Sequence, residues 1–377
     1  MKYAILEVLR DVEDDSFLRP ERHVIVTRED GLSKLIDVGR DDVKANNCSF
    51  SLSGDGKYVA VGRHCPEGIP AVEVYDVETG SVVFQRWAKD TVFKGLGHSF
   101  GYFTRVRFSP GQQKENLLYV FWYDYGCLIH DTLILVEIWN IPSNQLDTSN
   151  FDFAGSNSAN HGDAVLSQNG EFLGIRSDDH FLVCVSRTQK LIFRESVDSI
   201  TIYLGGDGPA DSELDNYAQV RNDGKMVLLT GSSSLAFIAP GESKHLCFED
   251  TTVPFNYCPI ENRFSADCSW LVSIYDDQFY MLNLETWEFE RTLQLPILPG
   301  FNLGRGFKVT DDLKMAVLAS DSYYGCSPSL STAIEGNDYG LHVFIIDLLS
   351  GDVLRHERFQ PNCKDKKFLA QLVLLDS

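Results

Sequence analysis

Long apolar runs are missing from this chain of 377 residues: no stretch approaches the ~20 consecutive apolar residues that a membrane-spanning helix needs. The opening segment, MKYAILEVLRDVEDD, has an apolar run too short for a signal peptide and broken by acids, so none is expected. Paired cysteine spacing is absent as well. The nine cysteines fall at positions 48, 65, 127, 184, 247, 258, 268, 326 and 363, with no CxxC pair and no regular framework. Cys184 and Cys247 sit within apolar, strand-like runs, a pattern that suits free thiols in a reducing compartment and points to the cytoplasm or nucleus. In such a compartment the glycosylation sequon Asn47-Cys48-Ser49 carries no weight. Positive charge is scarce, with 33 basic residues against 54 acidic ones and a net charge of −21. That balance argues against a nucleic-acid footprint and against anionic membranes, and favours basic partners. The one basic knot, Arg355-His-Glu-Arg358 followed by Lys364, Lys366 and Lys367, reads as a solvated edge. No linker divides the chain, so residues 1–377 are expected to form one domain.

What the chain does have is repetition. A tight polar turn followed by a short apolar strand recurs in Ser53-Gly-Asp-Gly-Lys-Tyr58, Ser167-Gln-Asn-Gly-Glu-Phe172 and Arg221-Asn-Asp-Gly-Lys-Met226. Weaker copies are Ser265-Ala-Asp-Cys-Ser-Trp270 and Thr310-Asp-Asp-Leu-Lys-Met315, and Ser109-Pro110-Gly111 opens a stretched one. Asp/Asn-Gly between apolar runs is a strong hairpin signal, and the two-residue form of that turn sets both central residues at positive φ. The copies step by 56, 58, 54, 44 and 45 residues. A period of that size with four strands per unit predicts a propeller, in which each blade packs on its neighbours; a two-sheet sandwich does not explain the regular step.

A second unit alternates with the first: a strand, a turn, another strand. Its copies begin at Val24, Val72, Val136, Phe181, Leu235, Phe279 and Leu341, each a short apolar/polar alternation bounded by turn residues. Seven copies of this unit stand against six of the first. The first blade therefore lacks an opening strand at the N-terminus, and a strand-like tail at about 367–376 is left over at the C-terminus. Pairing that tail beside Tyr3–Leu9 would complete the blade and protect two edges. The expected fold is all-β: a seven-bladed propeller of four-stranded antiparallel blades, about 54 residues each, closed by its N- and C-terminal strands.

Around the third blade the residues resemble a known family. Gly97-His98, Phe108-Ser109-Pro110, Asp124 and Ile138-Trp139-Asn140 are similar to the Gly-His … Asp … Trp-Asp pattern of WD40 repeats, with Asn140 in place of the final Asp. Tyr75-Asp76 is a softer version. Six residues beyond the apolar residue that follows each turn stand His64, Asp124, Asp178, Ser232, Asp276 and Asp321, four of them Asp. The resemblance implies an acid in the turn between second and third strands. Such an acid serves either a carboxylate ring that draws a basic peptide or cation, or local hydrogen bonding within each blade.

Antiparallel strands place the first–second and third–fourth turns at one end of each blade, and the second–third turns and blade links at the other. The first set is short (Asp55-Gly56, Thr79-Gly80, Asn169-Gly170, Asp223-Gly224). The second holds the insertions at 63–70, 88–102, 123–131, 144–163, 198–216 and 321–340. Long loops on a rigid scaffold are where binding usually resides. Tyr123, Tyr275, Tyr323 and Tyr324 are the candidate aromatic anchors there, with Arg63 and His64 beside them and Asp124, Asp178, Asp276 and Asp321 biasing the site toward basic partners. Covering the blade ends is the alternative role for such aromatics.

Catalytic motifs do not hold together. Gly97-His98-Ser99-Phe100-Gly101 matches G-x-S-x-G, but the next segment, Tyr102–Phe108, reads as a strand where the nucleophile elbow needs a helix. Asp207, Asp211, Glu213 and Asp215 share one loop, yet their spacing fits no EF-hand and Pro209 interrupts it. His98, His130, His161 and Asp163 could share the elaborated end without any metal-ligand spacing. Neither Gly95-Leu-Gly97 nor Gly205-Gly-Asp-Gly208 has the form of a phosphate loop. The expectation is thus a non-catalytic scaffold, a subunit of a complex, that binds a protein or peptide partner on its loop-rich face. No cofactor, metal, nucleic acid or membrane is expected. The alternatives are a propeller enzyme with a small-molecule or metal site at the channel mouth, and a structural subunit whose trimmed face and blade edges are buried.

Overall fold

In a computed structural model, the structure describes residues 2–11, 21–27, 33–40, 49–63, 70–91, 102–109, 116–124, 132–149, 161–167, 169–177, 180–188, 190–196, 218–230, 234–239, 242–247, 262–265, 269–275, 278–294, 306–310, 314–321, 341–359 and 366–375. Among them the chain is all-β, with a single 3-10 turn at Ala88–Asp90. The first strands are β1 (Lys2–Asp11), β2 (Glu21–Thr27) and β3 (Ser33–Arg40), which pair in sequence. The second sheet is β4 (Ser49–Leu52), β5 (Tyr58–Gly62), β6 (Val72–Asp76) and β7 (Val82–Arg86). The third is β8 (Tyr102–Phe108), β9 (Leu117–Asp124), β10 (Thr132–Asn140) and β11 (Gln145–Ser149).

The fourth sheet holds β12 (His161–Leu166), β13 (Phe172–Ser177), β14 (His180–Val185) and β15 (Leu191–Ser196). In the fifth are β16 (Ala218–Val220), β17 (Met226–Thr230), β18 (Ser234–Ala239) and β19 (Glu242–Cys247). The sixth comprises β20 (Asn262–Phe264), β21 (Trp270–Tyr275), β22 (Gln278–Asn283) and β23 (Glu288–Gln294). The seventh is β24 (Gly306–Val309), β25 (Met315–Asp321), β26 (Leu341–Asp347) and β27 (Val353–Phe359). Finally β28 (Lys366–Leu375) joins the first sheet, antiparallel to β1 from Lys2 opposite Leu375 to Asp11 opposite Lys366.

Four-stranded antiparallel sheets in this order are the blades of a β-propeller arrangement. Their faces bury against one another, which explains runs too apolar for a half-exposed strand. Along β9, Leu117, Tyr119, Phe121 and Tyr123 pack with Ala164, Leu173 and Ile175 of the fourth sheet. The alternate residues Leu118, Val120 and Trp122 pack the other way, with Val72, Val74 and Phe84 of the second. Val24, Val26, Ile36 and Val38 meet Phe50, Val59 and Val61 across the first boundary, and Val272 and Phe279 meet Ala316 and Leu318 between the sixth and seventh sheets. Strand β28 packs on β24, β25 and β4.

One end of the blades is tightly bonded. Ser53 N–H donates to the Tyr58 carbonyl at 2.9 Å, and the Tyr58 amide donates to Ser53 Oγ at 2.9 Å. Ser53 Oγ and the Lys57 amide both donate to Asp55 Oδ1, at 2.8 and 3.0 Å. Ser167, Asn169, Glu171 and Phe172 repeat all four bonds. These turns differ from the two-residue form expected. Only their glycines are left-handed (Gly56 φ 68°, Gly170 φ 69°, Gly224 φ 81°), while the sole non-glycine residues with positive φ among those described are Asn144 and Trp287. The Asp/Asn side chain accepts local bonds in a longer loop, so positive φ is needed at one position only.

Four third strands end alike. Asp76, Asn140, Asn283 and Asp347 each accept backbone amides two or three residues on through Oδ1, and the fourth residue on is left-handed: Gly80, Asn144, Trp287 and Gly351. The next residue then ties the two hairpins of the blade together. The amides of Val77, Ile141, Ser186, Leu284 and Leu348 donate to the carbonyls of Lys57, Asn116, Glu171, Ser269 and Lys314. Neighbouring blades also touch here, through Asn116 Nδ2 to Asp55 Oδ2 and the Asn169 amide to Asn222 Oδ1, both 2.9 Å.

Candidate functional site

At the opposite end longer stretches of sequence separate the strand ends, Asp124 from Thr132, Asp321 from Leu341, Ser149 from His161 and Ser196 from Ala218. Here lie the residues singled out from sequence. Asp124 closes β9, opposite both Thr132 and Tyr102, and Asp321 closes β25 opposite Leu341. Tyr275 ends β21, opposite Gln278. Asp124 and Asp321 thus hold equivalent positions at the second-strand ends, and Tyr275 precedes the position of Asp276. His64, Asp178, Asp276, Tyr323 and Tyr324 lie outside the described residues.

Two of the expected partner contacts face inward. Tyr123 is fully buried; its hydroxyl accepts the Ala164 amide at 3.3 Å, and the Arg105 guanidinium lies 5.4 Å from its ring centroid. It belongs to the alternating inward face of β9, so it is a covering aromatic rather than an anchor. Arg63 is 3% exposed. Its guanidinium pairs with Glu73 at 2.6 Å and donates to the Val38 carbonyl at 2.7 Å, to Tyr75 Oη at 3.3 Å and to the Pro70 carbonyl at 3.4 Å. Tyr75 donates to Glu73 Oε2 at 2.7 Å and Gln85 to Oε1 at 2.8 Å. Burial, reinforced by the bond to Glu73, pushes the Tyr75 phenol well above its usual range, so it stays a donor. Neither Arg63 nor Tyr123 offers surface to a partner.

A second buried carboxylate escaped the sequence reading. Glu137, 2% exposed, receives Arg86 Nε at 3.0 Å and Nη2 at 2.6 Å, with indole donors from Trp139 at 3.1 Å and Trp122 at 3.3 Å. Arg86 lies over the Trp139 ring at 5.2 Å. A signal was present: Glu73 and Glu137 each sit between aliphatics in a third strand, three residues before the Asp or Asn that closes it. A charge at such a place must find a buried partner.

Both carboxylates are met by buried donors: Glu73 by residues of its own sheet, Glu137 by Arg86 from the neighbouring one. Cys184 is free and buried, its thiol pushed up to about 12 by burial, so it is protonated at neutral pH and a poor nucleophile. Among the described residues no group of three or more His, Cys, Asp or Glu is placed to hold a metal ion, and no helix is long and apolar enough to cross a membrane.

No family model matches the chain, and no curated protein matches it in sequence. Among solved structures it is similar to Hsv2 of Kluyvelomyces marxianus, at 13% identity and a TM-score of 0.43 over 84% of this chain and 81% of that one. It is also similar to the dihydro-heme d1 dehydrogenase NirN, at 15% identity and a TM-score of 0.45 over 96% of this chain and 74% of that one. A eukaryotic initiation factor is similar at 11% identity and a TM-score of 0.43, over 98% of both chains.

Proposed function

We propose that the chain is a WD40-like propeller whose seven sheets close as one ring, and that it is a non-catalytic scaffold capturing a protein or peptide partner on its loop-rich end. The observation that carries this reading is the contrast between the two ends. One is trimmed to short turns bonded within and between blades; at the other, long stretches of sequence separate successive strands. The Asp or Asn closing four of the third strands supports the WD40-like reading. Asp124, Asp178, Asp276 and Asp321, with Tyr275, Tyr323, Tyr324 and His64, are the proposed contacts. The net charge of −21 favours a basic partner in the cytoplasm or nucleus.

Affinity purification from cytosol tests this, comparing the wild type with a variant whose 322–340 segment is replaced by a short turn. Partners lost only from the variant support the reading; an identical partner set overturns it.

A second reading, a structural subunit held by its rim, has its own observation. The outermost strands begin with exposed aliphatics: Val82 and Val83, Leu146, Leu191 and Ile192, Val353 and Leu354. If the rim is the interface, Leu191→Glu with Leu354→Glu abolishes assembly while replacement of the 322–340 segment does not.

A further inference from the structure

We propose that Arg63 is a positioning residue that locks the first three sheets together at the loop-rich end, so that their strand ends there open as one unit. Its functional meaning rests on the reading of that end as the docking surface; the coupling itself rests on geometry.

Arg63 follows the last residue of β5, where the 64–69 connection departs, and its contacts reach both neighbouring blades. The guanidinium takes the Val38 carbonyl of β3, in the first sheet, and the Pro70 carbonyl where the connection returns. Its backbone faces the third sheet. The Arg63 amide donates to Thr104 Oγ1 at 3.0 Å, and the Thr104 amide donates back to the Arg63 carbonyl at 3.1 Å. Thr104 Oγ1 also lies 3.0 Å from the Ala71 carbonyl. A single side chain and its own peptide groups thus hold the exits of β3 and β5, the entry of β6 and the entry of β8.

The seam continues inward. Ser49 Oγ accepts the Val106 amide and Ser51 Oγ the Phe108 amide, both at 2.9 Å, so alternate serines of β4 satisfy the backbone of β8. The approach is close enough to dictate residue 62. A Cβ on Gly62 would stand 2.6 Å from the Thr104 carbonyl oxygen and 2.8 Å from Ser49 Oγ. Serine at alternate positions occurs in no other described first strand, so this stitching is particular to the second–third boundary. Coupling of this kind travels through contiguous packed and hydrogen-bonded groups, and its components are all on this path.

Amide hydrogen exchange with mass spectrometry on the free protein tests it. Arg63→Met keeps the apolar stem and removes the fork. It should speed exchange roughly tenfold or more in peptides covering 34–40, 58–72 and 102–108 while leaving 262–294 unchanged. A rise confined to the second sheet, or spread evenly over every sheet, overturns the proposal. Should that variant fail to fold, Thr104→Val keeps the shape and loses the hydroxyl. It should speed exchange on both sides of the seam, and no change there overturns the proposal equally. Neither measurement needs a partner, so a negative result removes the coupling and leaves the docking reading to the segment-replacement experiment.

Discussion

Arg86 and Glu137 meet across the boundary between the second and third sheets, with Nε on one carboxylate oxygen and Nη2 on the other. Two indoles, Trp122 and Trp139, point at the same carboxylate. Truncating one member of a buried pair leaves the other charge without compensation, at about 3–5 kcal/mol. Arg86→Ala should therefore cost that much in urea denaturation, because it leaves the buried Glu137 charge with two neutral indole donors and no cation. Joint replacement, Arg86→Met with Glu137→Leu, should recover most of it, since apolar pairs of similar volume are often neutral at such sites. Strict additivity of the two single losses in the double variant would show the pair to be uncoupled.

Gly62 and Gly80 separate two reasons for glycine. Gly80 has φ 71° and nothing within 4 Å of a built Cβ, so Gly80→Ala meets only backbone strain, about 1–2 kcal/mol. Asn144 holds the same left-handed place in the third blade, so Gly80→Asn should cost less than alanine. At Gly62 the obstacle is the Thr104 backbone, which must move. Gly62→Ala should be the worse of the two alanine variants by thermal unfolding, and the reverse order would contradict the close approach of the second and third sheets.

Much of this architecture was legible because it repeats. Short turns closing on Ser53, Ser167 and Arg221, and alternating third strands of which four end in Asp or Asn, are local patterns that recur every 44 to 58 residues, and counting them leads to β28 beside β1. The candidate site was legible only as a set of positions. Asp124 and Asp321 do share the second-strand ends, because equal spacing from a turn places residues at equal heights in a blade; Tyr275, one residue short of that spacing, ends β21. Direction was not legible. Whether Tyr123 points out of the blade end or into the next blade depends on blades stacking on both faces, which turns β9 into a run buried on either side. Arg63 looked like a rim cation for the same reason. Its partners Val38 and Thr104 are 25 and 41 residues away, and no local spacing joins them.

Acid should loosen the trimmed end first. Burial alone would raise the Asp55 carboxyl, but bonds from Asn116, the Lys57 amide and Ser53, with the Lys57 charge, outweigh it and hold it below its ordinary value. The Thr79 amide foremost, with its hydroxyl, the Glu78 amide and the Lys34 charge, depresses Asp76 against the opposing effect of burial. A depressed carboxyl contributes stability that is complete above its unfolded value, about 4, and lost as pH falls through the folded one. Asp55→Asn and Asp76→Asn keep an acceptor oxygen without the titration. Both should flatten the fall in unfolding free energy below about pH 4, and an unaltered acid slope in the double variant would dismiss these two groups as its source.

Cys184 offers a probe that reports on opening rather than on chemistry. It lies in β14 with Leu182, Ala164 and Ile175 in one cluster, and burial keeps its thiol protonated to about 12. Reaction needs thiolate and access together, so at pH 8 iodoacetamide should leave Cys184 unmodified in the folded protein. Labelling should appear only as the fourth sheet parts from the third, and its rate should follow the unfolding equilibrium as urea is raised. Weakening that boundary from the other side should expose the same thiol. Tyr123→Ala removes a ring from the shared core and should speed labelling of Cys184 in proportion to the stability lost, about 3–5 kcal/mol at such sites. Prompt labelling of the folded wild type, quantified by peptide mass spectrometry, would mean that the third and fourth sheets do not pack face to face.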